Sequence, residues 1–169
     1  MRRRRSSSHL QNDDQSQEPS GNSKKVLDPA EQYIKNCSQF ELNVDSNVVI
    51  ALRTRWNILK PTSNFDEGAM LPLMGVLDDN KHITKLNLAA SSMQSRFRTM
   101  GNGNSNARVL SSILCNNNTI EEVDLSETGL DDDGVAEVCT ALKNNKTITK
   151  LNLSGNLFGT CPKSPVSNL

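Results

Sequence analysis

The sequence predicts an α/β chain in which a short unit, a strand followed by a helix, is repeated. Three observations predict it. Three segments can be laid over one another: His82-Ile-Thr-Lys-Leu-Asn-Leu-Ala, Thr119-Ile-Glu-Glu-Val-Asp-Leu-Ser and Thr147-Ile-Thr-Lys-Leu-Asn-Leu-Ser. Apolar residues at helical spacing lie between them and stop at asparagines. Hydrophobic residues make up 35% of the chain and aromatic residues only 4%, which suits stacked aliphatic layers better than one large globular core. With 169 residues the chain has room for one domain.

Taken in order, residues 1–27 form a polar tail with almost no apolar content. It carries six basic and three acidic groups, against thirteen and sixteen in the remainder. Such a segment buries too little surface to offset its chain entropy, so disorder is expected. The run Arg2 to Arg5 followed by Ser6 and Ser7 suits a basophilic kinase, with Ser6 and Ser7 as candidate acceptors, or a nuclear signal. A solvated tail without a dedicated role is the plain alternative. No apolar stretch follows the arginines as a secretory signal requires, and no run reaches the roughly 18 apolar residues of a membrane span.

Residues 28–54 are expected to form a helical cap. Asp28-Pro29 is a start signal, an N-cap followed by the one residue whose missing N–H costs nothing there. Tyr33, Ile34, Cys37 and Phe40 then share one helical face. Asp45-Ser46-Asn47 begins a second helix through Val48, Val49, Ile50 and Leu52.

Residues 55–158 carry the repeats. A half-copy comes first, with a strand near Trp56 to Leu59 and a helix through Leu71, Leu73, Val76 and Leu77 that stops at Asp78-Asp79-Asn80. The full copies have first apolar positions Ile83, Ile120 and Ile148, at intervals of 37 (83 to 120) and 28 (120 to 148). The last reads Ile148-x-x-Leu151-x-Leu153-x-x-Asn156-x-Phe158. The middle reads Ile120, Val123, Leu125, Thr128, Leu130, and the first Ile83, Leu86, Leu88, Ser91, Met93. Alternate strand residues face one way, so Leu151 and Leu153 point inward while Lys150, Asn152 and Ser154 point out. Asn156 can bond free backbone groups as the chain leaves the strand; the turns at Thr128 and Ser91 are expected to be held less tightly. Helices follow through Ala107, Leu110, Ile113 and Leu114, stopped by Asn116 to Asn118, and through Val135, Val138, Cys139 and Leu142. The latter starts at Asp131 to Asp133, which suit the helix dipole, and stops at Asn144-Asn145, since asparagine tolerates the left-handed conformation.

These spacings match the signature L-x-x-L-x-L-x-x-N-x-L. A 28-residue period with a true helix in each copy resembles the ribonuclease-inhibitor-like class of leucine-rich repeats, from about residue 55 to 158. The helical head is similar to the cap of cytoplasmic, centrosomal and axonemal proteins of that class. The resemblance implies a leucine-rich-repeat solenoid: a curved parallel sheet, helices on its convex side, and protein binding on its concave side. A cytoplasmic location is expected, with nuclear, centrosomal and axonemal sites as alternatives. Cys37, Cys115, Cys139 and Cys161 show no C-x-x-C pair and no histidine at ligand spacing, which suits free thiols in a reducing compartment.

Two departures from the class stand out. The first copy is nine residues longer than 28, and the excess lies in a 94–105 loop carrying Arg96, Phe97 and Arg98. That trio is a candidate contact, because loops at the end of a scaffold often carry function; a tolerated insertion is the alternative. In the last copy a helix-start glycine belongs at position 162, where Pro162 stands, and 159–169 read as an irregular tail with no evident C-terminal cap. Three explanations are open: a truncated isoform or fragment of a longer repeat protein, edge-mediated self-association, or partial cover by the tail. Truncation is favoured, since a solenoid normally ends on a polar cap.

The candidate binding surface comprises two rows, Lys85, Glu122, Lys150 and Asn87, Asp124, Asn152. Alternating charge along the first row stabilises the stack and neutralises the face, so it would not steer phosphates or a highly charged partner. Nucleic acid and membrane are not expected partners. His9 and His82 have no nucleophile near them in sequence, and there is no phosphate loop or metal cluster. Asp131 to Gly134 superficially suggests a calcium loop, but its twelfth position is Leu142 where a bidentate glutamate belongs. The expectation is a chain without cofactor, metal or catalytic role, an interaction module or adaptor for a protein partner. The alternatives are a regulator of a small GTPase, by architectural analogy alone, and a shortened isoform with little function of its own.

Overall fold

The computed structural model describes residues 27–62, 68–78, 80–91 and 105–159. It is a mixed α/β fold with a four-stranded parallel sheet. Two helices come first, α1 (Pro29–Gln39) and α2 (Ser46–Arg53), followed by β1 (Ile58–Leu59), a 3-10 turn (Leu71–Leu73), β2 (Lys85–Asn87), α3 (Ser105–Asn116), β3 (Glu122–Asp124), α4 (Asp132–Leu142) and β4 (Lys150–Asn152). The strands lie side by side in chain order.

Both head helices start where their capping residues stand. The Asp28 carboxylate accepts from Ala30 N–H with Pro29 in the first turn. The Asp45 carboxylate accepts from Asn47 and Val48 N–H and also from the backbone N–H and hydroxyl of Thr62, each at 2.8 Å. That second pair of bonds ties the head to the segment after β1. A further tie is Asn36 Nδ2, which donates to Pro72 O at 2.8 Å. Tyr33 and Cys37 are buried as their spacing predicts, but Phe40 caps the end of α1 and is 47% exposed. The chain turns away there, and Glu41 takes a positive φ of 54°.

The half-copy does not form the α-helix expected through Leu71, Leu73, Val76 and Leu77. Its bonds are of the i to i−3 kind, Leu73 N–H to Met70 O and Val76 N–H to Leu73 O. Pro72 has no N–H to give, and Gly68 and Gly75 stand at φ of +82° and +73°, so the segment is bracketed by two residues outside helical space. Its apolar residues still reach the core: Met70, Leu73 and Leu77 are fully buried.

The register places equivalent residues of the repeats opposite one another: Lys85, Glu122 and Lys150 in one row, Leu86, Val123 and Leu151 in the next, Asn87, Asp124 and Asn152 in a third. The middle row enters the core, joined by Ile83, Leu88, Ile120 and Leu125 from the strand flanks and by Leu110, Leu114 and Val138 from α3 and α4. Each fully buried aliphatic side chain contributes on the order of 1.5–3 kcal/mol. The layers are uneven. Leu86 and Val123 are 1% and 2% exposed, whereas Leu151 and Leu153 at the β4 edge are only half-buried.

Candidate functional site

The strands present the two outer rows on the open face of the sheet, where they line a shallow groove of about 280 Å³ together with Ile58. Glu122 sits at the middle of the first row. Its carboxylate takes Lys85 Nζ on one oxygen at 3.0 Å and Lys150 Nζ on the other at 2.6 Å. Those hydrogen bonds, the Lys150 one foremost, hold the Glu122 carboxyl below its usual range, and the Lys150 ammonium is raised in return. The alternating row predicted from sequence is therefore a closed three-member ion cluster, carrying one net positive charge.

The second row is engaged differently. Asn87 Oδ1 accepts from Ala89 N–H at 3.2 Å. Asp124 Oδ1 accepts from the N–H and hydroxyl of Ser126 at 3.0 and 2.7 Å. Asn152 Oδ1 accepts from the same two groups of Ser154 at 3.1 and 2.9 Å. Each side chain closes the turn that ends its own strand. The Ser126 hydroxyl foremost, against the opposing effect of burial, keeps the Asp124 carboxyl below its usual range, and Lys60 adds a favourable charge. One acceptor atom of each residue is thus committed to the fold, and the Asn152 side chain also bonds the Asp124 carboxylate.

Six of the candidate binding residues, Lys85, Asn87, Glu122, Asp124, Lys150 and Asn152, are brought together on one surface. Arg96, Phe97 and Arg98, the 94–104 part of the loop, Met93, and Ser6 and Ser7 lie outside the described residues, as does the tail from 160. Ile58 and Lys60 belong to the face and were not among the sequence candidates, because β1 fits the repeat pattern poorly. Cys37, Cys115 and Cys139 are free thiols. Among the described residues no group of three or more His, Cys, Asp or Glu side chains could hold a metal ion, and no helix is long and apolar enough to cross a membrane.

The sequence reading missed a ladder of asparagines on the other side of the layers. Asn80, Asn117 and Asn145 each stand three residues before the first apolar position of a copy. Each Oδ1 accepts two backbone N–H groups: His82 and Ile83, Thr119 and Ile120, Thr147 and Ile148. Each amide of the later two reaches back one layer, Asn117 Nδ2 to Leu77 O at 2.7 Å and Asn145 Nδ2 to Leu114 O at 2.7 Å and Asn117 O at 3.0 Å. None of the three takes a positive φ, so asparagine ends these helices through its side chain and not through left-handed backbone. Nor is the Thr128 turn loosely held: Thr128 Oγ1 lies 2.9 Å from Leu125 O and 3.0 Å from Asn156 Oδ1, and Asn156 Nδ2 donates to Leu125 O and Leu153 O. The asparagine of one copy secures the turn of the copy before it.

No family model matches the chain, and no curated protein matches it. Among solved structures it is similar to one described as Leiomodin-1 Actin-Binding Site 2, at 15% identity and a TM-score of 0.46, over 76% of this chain and 61% of that one. A likeness of that degree bears on neither partner nor activity.

Proposed function

We propose that the chain is a leucine-rich-repeat solenoid that works as a non-catalytic protein-interaction module, using the open sheet face as its docking surface. The observation that carries this reading is the groove itself: six outward side chains in register, from three successive copies, over the strand backbone at Leu86, Val123 and Leu151, with Ile58 beside them. It is too open to enclose a small substrate. Its polar groups offer both donors and acceptors at the spacing of adjacent strands, about 4.8 Å, which suits a protein surface more than a point charge. The nearly balanced charge favours recognition by shape and hydrogen bonding over long-range steering. The free thiols agree with a reducing compartment, the cytoplasm foremost.

The test is a comparison of proteins crosslinked to the wild-type chain and to Lys85→Glu/Lys150→Glu, which keeps side-chain bulk but sets three carboxylates in one row. A partner recovered by the first and lost by the second, with both chains equally folded by circular dichroism, is the expected result. An identical set from both would remove the face from consideration.

A further inference from the structure

One rung of the asparagine ladder has an amide that is not engaged. Asn117 and Asn145 donate from Nδ2 to carbonyls of the layer before them. Asn80 holds the same place before Ile83, and its Oδ1 likewise accepts from His82 and Ile83 N–H, which fixes which end of its carboxamide is the amide. Asn80 is 7% exposed, and its Nδ2 has no acceptor among the described residues. A buried donor without an acceptor costs about 1–3 kcal/mol, so an oxygen brought from outside the fold is favoured there. Asn80 lines an open cavity of about 360 Å³ between the start of α1, the end of α2 and the segment leading into β2. Arg53, Arg55, Lys81 and His82 line it too, with Asp28 as the one acid. All four basic residues are exposed, and none makes an ion pair with a described residue. The Asp28 carboxylate accepts from Ala30 N–H at 3.2 Å. Three fixed cations less one carboxylate leave the lining a charge of +2 before His82 is counted. The positive end of α1 and the negative end of α2 both reach the cavity and largely cancel. None of these residues lines the open-face groove, where the acid and the lysines close on one another.

We propose that this cavity binds a phosphate group, held by the Arg53 and Arg55 guanidiniums, the Lys81 ammonium and the Asn80 amide. Guanidinium forks take phosphate oxygens in pairs. A phosphate monoester carries a charge of about −1.5 to −2 near neutral pH, which matches the lining, and a further oxygen gives Asn80 Nδ2 the acceptor it lacks. A carboxylate brings two oxygens and a single charge, and satisfies fewer of these groups. The cavity, at about 360 Å³, falls at the small end of ligand sites, roughly 300–1,000 Å³. It therefore has room for the group to which the phosphate is esterified as well as for the free ion.

The test is an NMR titration of the full chain with inorganic phosphate, N-acetyl-phosphoserine amide and acetate, all at one ionic strength. Phosphate is expected to shift the Asn80 side-chain amide and the Lys81 and His82 backbone amides saturably, half-complete at or below about 1 mM. Acetate is expected to bind at least about ten-fold more weakly. Tighter binding of the phosphoserine compound assigns the site to an esterified phosphate, and equal binding assigns it to the free ion; both support a phosphate site. Arg53→Gln/Arg55→Gln is expected to weaken phosphate at least about ten-fold with little change in the thermal melt, since both side chains are exposed. Asn80→Asp keeps an oxygen for His82 and Ile83 N–H but trades the donor for a carboxylate, and is expected to abolish binding. Lys143→Gln/Lys146→Gln removes the same charge outside the cavity and is expected to leave binding unchanged. No saturable shift, equal affinity for acetate, full binding by the arginine variant, or an equal loss in the Lys143 and Lys146 variant overturns the proposal.

Discussion

Asn117 is 3% exposed and serves three backbone groups at once, the N–H of Thr119 and Ile120 and the carbonyl of Leu77. A buried group stripped of its partner costs about 1–3 kcal/mol. Asn117→Ala strips three, and we expect it to lower stability by about 3 kcal/mol in urea unfolding; a change below about 1 kcal/mol would contradict the ladder. Asn117→Asp keeps the acceptor and loses the donor, so it should fall no less far once the cost of burying a charge is included. The signal for this role was present in the sequence as the recurrence Asn80-x-x-Ile83, Asn117-x-x-Ile120, Asn145-x-x-Ile148. Backbone tolerance and side-chain capping place asparagine at the same spot in a sequence, and only atomic positions distinguish the two. Glu122, by contrast, was legible, since opposite charges in register must meet. Its folded pKa is depressed, so its contribution is present above the unfolded value of about 4.3 and is lost as pH falls through the lower folded value. Lys150 is raised, so its share is lost only as pH climbs past about 10.4. We expect the Glu122 carboxyl carbon to titrate below 4.3 by NMR, and the stability difference between wild type and Glu122→Gln to shrink in acid. A titration at or above 4.3 would show the ion cluster open in solution.

At the scale of elements, one turn recurs after β2, β3 and β4 and takes a left-handed residue in all three: Ala90 at φ 58°, Glu127 at 57° and Gly155 at 69°. Only the third is a residue without a Cβ, and L-residues hold this conformation at roughly 1–2 kcal/mol. Gly155→Ala is therefore expected to destabilise by about 1–2 kcal/mol, helped by a new Cβ 2.8 Å from Glu127 Cγ. Glu127→Gly is expected to stabilise by up to about 1 kcal/mol, the strain relieved less the added chain entropy. Thermal melts of the two variants should move in opposite directions, and parallel shifts would mean the turns are not equivalent. Helices α1, α2 and α4 were legible to within a residue or two because Asp28, Asp45 and Asp131 announce them, and their caps are seen. The 3-10 turn at Leu71–Leu73 stands where apolar spacing predicts a helix. Pro72 and Gly75 in the same stretch argue against regular helix.

Across the whole molecule, stability is distributed layer by layer, since each copy touches its neighbours through the same bonds. Removing a fully buried leucine costs about 2–5 kcal/mol. Leu86→Ala should fall in that range, and Leu151→Ala, at the half-covered edge, should cost about half as much. Equal losses would mean that β4 is covered in solution. The repeat and its strand register could be read from the sequence, as could the two rows of the face, because a two-residue side-chain period leaves no choice once one apolar position is placed. The side of the groove at Ile58 could not, because β1 owes its place to Asn57 O and to α2 rather than to any pattern of its own. The asparagine ladder also has a direction, for the carboxamides of Asn117, Asn145 and Asn156 reach back to carbonyls made earlier in synthesis. A ribosome that has just released Leu130 has delivered a layer whose carbonyls at Leu114, Asn117 and Leu125 still wait for Asn145 and Asn156. Each length of nascent chain is completed by the next to emerge, so the order of translation and the order in which these layers close run the same way.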